Sequence, residues 1–135
     1  MEPSLDLQAA ILSALRADVA LTALVGSQIY DQLPLKARPP YLVIGDAQII
    51  GDYADCIDGS EISLQIDAWG GQTTLGYSDV KTIAHAVRLI LHDFAPNLSG
   101  NRLISFNFEN TRFLRDPDGI TRHAALTFSA LTEPF

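Results

Sequence analysis

The first part of the chain repeats apolar residues at the three- and four-residue spacing of amphipathic helices. Leu7 to Leu15 carry such a pattern, and Asp6 is placed to cap the helix that they predict. A shorter helix is predicted from Asp18 to Gly26, with Leu21, Leu24 and Val25 pointing inward. Glycine suits the end of this helix because it adopts the left-handed conformation without steric cost.

Shorter segments after these helices show the period-two alternation of β-strands. Ile29-Tyr30 predicts a short strand, and prolines then bracket a loop that ends at Pro40. Tyr41 to Ile50 predicts a longer strand, with Tyr41, Val43, Ala47 and Ile49 on one face. Glu61 to Trp69 predicts a strand with one buried face, formed by Ile62, Leu64, Ile66 and Ala68. These two strands are expected to pair through the acidic connection from Gly51 to Gly59.

The second half of the chain predicts one helix followed by a hairpin. The helix begins at about Thr74, and its apolar stripe consists of Val80, Ile83, Ala84, Val87, Ile90 and Leu91. Strands are predicted from Leu103 to Leu114 and from Ile120 to Thr132, joined by a turn at Asp116 to Gly119. The inner faces of these strands are expected to be Ile104, Phe106 and Phe108, and Ala124, Leu126, Phe128 and Ala130.

The order of predicted elements is helix, helix, strand, strand, helix, strand, strand. Strands joined as hairpins, with helices against one face, are typical of an α+β fold built on an antiparallel β-sheet of about four main strands. The 135 residues, 47% of them hydrophobic, suffice for one core, so residues 1–135 are predicted to form a single domain.

Composition narrows the class of protein further. The single cysteine, Cys56, excludes a disulfide framework or a cysteine zinc site. No apolar run approaches the length of a membrane span, and the first residues lack the pattern of a signal peptide, so we expect a cytosolic protein without a membrane partner.

Charge is unevenly distributed along the chain. The formal net charge is −7, the wrong sign for a protein that grips nucleic acid by counterion release. No lysine or arginine occurs between Arg38 and Lys81, whereas seven acids do: Asp46, Asp52, Asp55, Asp58, Glu61, Asp67 and Asp79. From Lys81 onward the basic residues slightly outnumber the acidic ones, which predicts an electrostatically polar molecule.

The usual chemical motifs are missing from the sequence, including nucleophile elbows, phosphate-binding loops and metalloprotease helices. Cys56 lies among acids, which raise a thiol pKa, so it is a poor nucleophile. His85 and His92 lack further metal ligands and predict a polar helix stripe together with Lys81 and Arg88. No catalytic residue, cofactor or metal is therefore predicted. The run Asp52, Asp55, Asp58 could hold calcium or magnesium, but its spacing does not match an EF-hand loop, and a solvated acidic tip is the favoured interpretation.

The charge segregation itself suggests an interface. Its acidic members are Asp52, Asp55, Asp58 and Glu61, and its basic members, near the tip of the C-terminal hairpin, are Arg112, Arg115 and Arg122. Opposed patches of this kind would fix the register of a head-to-tail contact between identical subunits, and such a contact forms a ring when it closes. Solvated loop ends are the alternative explanation.

Several segments resemble a known family. They are LQAAILSALRAD (Leu7–Asp18), LTALVG (Leu21–Gly26), IYD (Ile29–Asp31), PPYLVIG (Pro39–Gly45) and EISLQIDAW (Glu61–Trp69). In this order they resemble the tail-completion, or tail-terminator, proteins of long-tailed bacteriophages and gene transfer agents. That family is classified as a domain of unknown function. The resemblance covers nearly the whole chain.

The resemblance implies a structural virion protein that is not an enzyme and has no catalytic residues. A homo-oligomer, a hexameric ring, would cap the tail tube protein and present a surface to the head-tail connector and neck proteins. DNA would pass through the lumen without specific binding, since an acidic wall repels it. The protein would assemble in the bacterial host cytoplasm and reside in the virion.

Two alternatives remain at this stage. One is another head-tail connector or neck subunit, of similar size and also ring-forming. The other is a small α+β ligand-binding protein or enzyme, which a buried apolar pocket with converging polar side chains would favour.

Overall fold

The computed structural model describes residues 2–52, 59–70, 77–115 and 121–135. Within these ranges the chain forms three helices and five strands. In chain order they are α1 (Pro3–Ala17), α2 (Val19–Val25), β1 (Ile29–Tyr30), β2 (Tyr41–Asp52), β3 (Gly59–Trp69), α3 (Ser78–Ile90), β4 (Asn101–Arg115) and β5 (Arg122–Pro134). The predicted start of the last helix at Thr74 and the predicted turn from Asp116 to Gly119 lie outside the described residues.

The five strands form one sheet in the order β1-β2-β3-β5-β4. The four long strands are antiparallel, with β2 paired to β3, β3 to β5, and β5 to β4. Both predicted strand pairs are therefore confirmed, as is the α+β class. The short β1 pairs parallel to β2 and makes the sheet mixed, which strand alternation alone did not indicate.

The antiparallel pairing of β3 with β5 sets the direction of the two hairpins. Ser60 lies opposite Thr132, and Trp69 lies opposite His123. Each of these strands is the second strand of its hairpin, so the two hairpin tips lie at opposite ends of the sheet.

The core lies between the helices and one face of the sheet. The predicted inner faces of β3 and β5 are confirmed, because all eight side chains are at most 5% exposed. They are Ile62, Leu64, Ile66, Ala68, Ala124, Leu126, Phe128 and Ala130. The helices cover this layer with side chains such as Leu7, Ile11, Leu21, Val80 and Ile83, all of them buried.

The prediction that Tyr41, Val43, Ala47 and Ile49 share one face of β2 is wrong. The register shifts between Ile44 and Ala47, which changes the parity of the strand. Leu42 and Ile44 are the buried side chains, whereas Tyr41 and Val43 are on the other face. After the shift, Ala47 and Ile49 lie opposite Leu64 and Ile62 and so return to the helix side of the sheet.

Two further inward assignments are wrong. Ile104 is 49% exposed, because the register of β4 shifts between Leu103 and Ser105. Leu24 in α2 is 38% exposed, while Leu21 and Val25 are buried. Phe106 and Phe108 do contact the core, since their rings pack against Phe128 at centroid distances of 5.3 and 5.6 Å.

Asp18 joins α1 to α2 at a bend of 84°. It ends α1, and its carboxylate caps α2 by accepting a hydrogen bond of 2.9 Å from the Leu21 amide. Gly26 ends α2 at a φ of 63°, as predicted. Among the described helices, no single one is long and apolar enough to cross a bilayer, and only α1 and α2 taken together across this bend reach that length and hydropathy.

Asp6 is not the cap of α1. The helix begins at Pro3, and the Glu2 carboxylate caps it by accepting hydrogen bonds from the amides of Ser4 and Leu5. Proline at the first helical position is typical of such a start. Asp6 instead lies one turn further into the helix, where its side chain is 2% exposed.

The buried Asp6 carboxylate ties α1 to the beginning of β4. Its two oxygens accept hydrogen bonds of 2.9 Å from the Ser99 and Gly100 amides and one of 3.0 Å from the Asn101 side-chain amide. Burial acts to raise the pKa of Asp6, but the hydrogen bonds from Asn101, Gly100 and Ser99 outweigh it and hold the pKa below its ordinary value.

We expect Asp6→Asn to lower the free energy of unfolding by about 2 to 3 kcal/mol, because the amide nitrogen cannot accept a hydrogen bond and the interactions lose their charge. Urea denaturation at pH 7 measures the change. Asp93→Asn, at an exposed aspartate, is the matched control and should stay within about 0.5 kcal/mol of the parent.

The pH dependence of the same comparison tests the charge. Because folding lowers the pKa of Asp6, its ionised form contributes stability above the ordinary aspartate pKa of about 3.9, and this contribution is lost as the pH falls through the folded-state value. The difference between the parent and Asp6→Asn should therefore be constant above about pH 5 and shrink below pH 4. A difference that does not change down to pH 3 would contradict this role.

Candidate functional site

The acidic end of the sheet is the tip of the β2–β3 hairpin. We call residues 47–52 and 59–62 the β2–β3 arm. Glu61 is exposed and lies opposite Ile50, on the face of the sheet away from the helices. Asp52 is the last residue of β2 and lies opposite Gly59. The other two predicted acidic members, Asp55 and Asp58, lie outside the described residues, as does Cys56.

The basic end of the sheet is the β4–β5 hairpin. Arg115 lies directly opposite Arg122, and Arg112 lies opposite Ala125. Strand alternation places Arg115 and Arg122 on the helix side of the sheet and Arg112 on the other side. Arg112 and Arg115 are exposed, while the Arg122 guanidinium carbon lies 5.1 Å from the centroid of the Tyr77 ring.

The two charged ends are far apart within one subunit. Glu61 and Trp69 are eight residues apart on β3, which corresponds to roughly 26 Å at the rise of a β-strand. Trp69 lies opposite His123, next to Arg122. The structure thus places all three arginines towards one end of the sheet, with Arg112 on the face opposite the other two. Glu61 and Asp52 lie at the opposite end.

A groove with basic and aromatic walls runs between α3 and β4, with a volume of about 490 Å³. We call it the α3–β4 groove, and its lining consists of Lys81, Ala84, His85, Arg88, Phe108, Thr111 and Phe113. The Arg88 guanidinium lies 4.1 Å from the Phe108 ring centroid, and the Lys81 ammonium lies 5.3 Å from that of Phe113. Both are cation–π distances.

Only the α3 wall of this groove was predictable from the sequence. The sequence pattern placed Lys81, His85 and Arg88 on one polar helix stripe, and all three are exposed. It missed the β4 wall, because the register shift between Phe108 and Asn110 puts Thr111 and Phe113 on the helix side of the sheet. That shift has no clear signal in an alternating sequence.

A second group of residues that the sequence did not reveal lies on the sheet face away from the helices. The His123 ring stacks on Trp69 with centroids 3.9 Å apart, and its Nε2 lies 2.6 Å from Asp67 Oδ1. Gln65 donates a hydrogen bond of 2.8 Å to the same oxygen. These residues meet only through the β3–β5 register, since Asp67 and His123 are distant in sequence.

Gly45 leaves room for the Asp67 carboxylate. A Cβ atom on Gly45 would overlap Asp67 Oδ2 and lie 3.1 Å from the Gln65 carbonyl oxygen. The absence of a side chain at the β2 bulge therefore allows Asp67 to reach His123. The cluster fixes the sheet next to the basic hairpin.

The two histidines considered as metal ligands have different neighbours, and of the run Asp52, Asp55 and Asp58 only Asp52 lies within the described residues. His85 lines the α3–β4 groove, while His92 is exposed and lies 3.3 Å from Asp93. In the described part of the chain, no three residues of the types His, Cys, Asp and Glu are grouped closely enough to hold a metal ion.

Comparisons with other proteins extend these observations. The family model described as tail completion protein gp17 matches residues 9–133. A solved chain from the virion of a native gene transfer agent particle is 28% identical, with a TM-score of 0.88 and 96% of each chain covered. The bacteriophage SPP1 gp17 protein shares the fold at 21% identity, with a TM-score of 0.64 over 96% of this chain and 91% of that one. A comparison with curated proteins gives no significant match.

Two substitutions separate the contributions of the His123 ring. His123→Ala removes both the stacking on Trp69 and the hydrogen bond to Asp67, and we expect it to lower the free energy of unfolding by about 2 kcal/mol. His123→Phe keeps the stacking and should retain about half of this energy. Chemical denaturation followed by Trp69 fluorescence measures both. Equal losses for the two variants would show that the stacking contributes nothing.

Proposed function

This chain belongs to the tail completion protein gp17 family, and from that premise we propose that its copies form a ring that caps the tail tube of a virion. The ring stops tail growth and joins the tube to the head-tail connector and neck proteins. The similarity to a chain of a gene transfer agent virion, which extends over 96% of both chains, supports this role.

The observation that carries the proposal is the placement of opposite charges at opposite ends of one sheet. A ring of identical subunits needs a heterologous contact, in which one patch meets a different patch on the next copy. The exposed Glu61 on one end and the exposed Arg112 and Arg115 on the other provide two such patches. We propose that Asp52, Asp55 and Asp58 belong to the first patch and Arg122 to the second.

The charge balance also suits a ring through which DNA passes. A net charge of −7 leaves an assembled ring strongly acidic, and like charge keeps the wall of the lumen from holding the DNA. The resemblance to the family implies six copies in each ring, and this number is part of the proposal. The ring would be assembled in the bacterial host and remain in the virion, and no step of this role requires a catalytic residue or a cofactor.

Removing the gene from a particle-producing strain tests the role itself. We expect tails of uncontrolled length, because nothing stops polymerisation of the tube, and electron microscopy measures the length distribution. Restoring the wild-type gene is the control. Tails of normal length that fail to join heads would instead indicate a connector subunit, and normal particles would contradict both roles.

Reversing charge at the basic end tests the interface. We expect Arg112→Glu combined with Arg115→Glu to weaken subunit association at least 10-fold, because attraction between the patches becomes repulsion. Added salt should weaken association of the parent but no longer weaken that of the variant, since salt screens the repulsion. Lys36→Glu combined with Arg38→Glu is the matched control, since both residues are exposed and lie in the proline-bracketed loop. Sedimentation at several salt concentrations measures association, and equal behaviour of the two variants would contradict the proposed interface.

A further inference from the structure

We propose that the α3–β4 groove is the receptor for the β2–β3 arm of a neighbouring copy. This inference rests on the proposed ring and assigns its subunit contact to particular surfaces. In that contact the acids of the arm meet Lys81 and Arg88 of the groove together with Arg115, which lies on the same side of the sheet two residues beyond Phe113. The exposed isoleucines of the arm pack against apolar side chains beside α3.

The groove offers cations to the solvent on a largely acidic molecule. Lys81 and Arg88 lie over aromatic rings, which hold the long side chains in place before a partner binds. His85 stands between them on the same helix face. A site with pre-positioned cations loses less conformational entropy when it takes up carboxylates.

The floor of the groove contains a polar atom that needs a partner. The Thr111 hydroxyl oxygen is buried and has no hydrogen-bond partner among the described residues. A buried hydroxyl without a partner is costly, so native structures usually pair it. Because Thr111 lines the groove, rotation of its side chain would let this hydroxyl donate a hydrogen bond to a carboxylate that enters between Lys81 and Arg88.

The arm has the matching properties. Ile49 and Ile50 are 43% and 47% exposed, on opposite faces of the arm. Glu61 lies beside Ile50, so one face of the arm combines an apolar side chain with an acid. Ile49 and Ile50 are adjacent and exposed on the part of β2 beyond its pairing with β1, which is unfavourable in water. Burying them against a partner stabilises the assembly.

An apolar groove lies on the other side of His85, between α2 and α3. It has a volume of about 400 Å³, and its lining includes Leu24, Leu89 and Ile90. Leu89 is 64% exposed and Leu24 is 38% exposed. The exposed ridge of α3 therefore separates a cationic groove from an apolar one, which fits an arm that carries both acids and isoleucines.

The topology makes this contact one between copies. The arm belongs to β2 and β3 at one end of the sheet, whereas Phe108, Thr111 and Phe113 of the groove belong to β4, the last strand at the opposite edge. Phe113 lies opposite Ala124, near the other end of the sheet. A contact between these surfaces on two copies is head-to-tail, as a ring requires.

Photo-cross-linking in assembled particles tests the contact. Benzoylphenylalanine replaces Ile50, and in a second variant it replaces the exposed Leu35 in the proline-bracketed loop as a matched control. We expect Ile50 cross-links to join two copies of this chain through a peptide that contains residues 78–90 or 105–113. The Leu35 variant should not label these peptides.

Charge exchange provides an independent measurement. We expect Lys81→Glu combined with Arg88→Glu to reduce incorporation of the protein into particles at least 10-fold, and addition of Glu61→Arg to restore at least part of it. Lys36→Glu combined with Arg38→Glu is again the matched control, because both residues are exposed and lie outside the groove. Thermal unfolding of each variant identifies any that fails to fold, and the cross-linking result then decides.

The outcomes separate this inference from the proposed function. Cross-links from Ile50 to another virion protein, to a different surface of this chain or to nothing, with the protein still present at the tail end, would overturn the arm-in-groove contact alone. Particles with tails of normal length in the absence of the protein would overturn the proposed function and the contact with it.

Discussion

The antiparallel pairing of β3 with β5 determines the layout of the molecule. Both strands follow a hairpin tip, so pairing them in opposite directions forces the two tips to opposite ends of the sheet. Their alternating residues also supply the eight apolar side chains on which the helices pack. One pairing thus creates both the core and the separation of acidic from basic residues. The charge polarity seen along the sequence becomes a polarity in space because of this register.

The helices stabilise only part of the sheet and are tied to it at specific points. The Asp6 carboxylate links α1 to the start of β4 through three hydrogen bonds, and burial makes that link sensitive to any loss of an acceptor. Beyond the helical layer, Ala47, Ile49 and Ile50 remain exposed on the β2–β3 arm. The proposed contact between copies would bury these uncovered residues of the arm.

Much of this fold was predictable from periodicity, and the errors share one physical origin. Clean alternation from Ile62 to Ala68 gave the correct inner face, and Gly26 ended its helix as expected. The faces of β2 and β4 were wrong where a bulge adds one residue and reverses the alternation. Asp6 was misplaced because a carboxylate can cap a helix or bind distant amides, and only tertiary structure decides. The charged residues near the two ends of the sheet were identifiable from the sequence, and their role as an interface stays a prediction. The β4 wall of the groove and the His123–Asp67 pair depend on register.

The position of β4 at the border of the sheet has a consequence for the free subunit. Its fifteen residues present a row of main-chain groups on the side away from β5, and such a row is a template on which another chain can add a strand. Charged residues recur along it at Arg102, Glu109, Arg112 and Arg115, and charges on a border strand oppose fibril-like stacking. These charges are therefore expected to disfavour edge-to-edge pairing between free subunits.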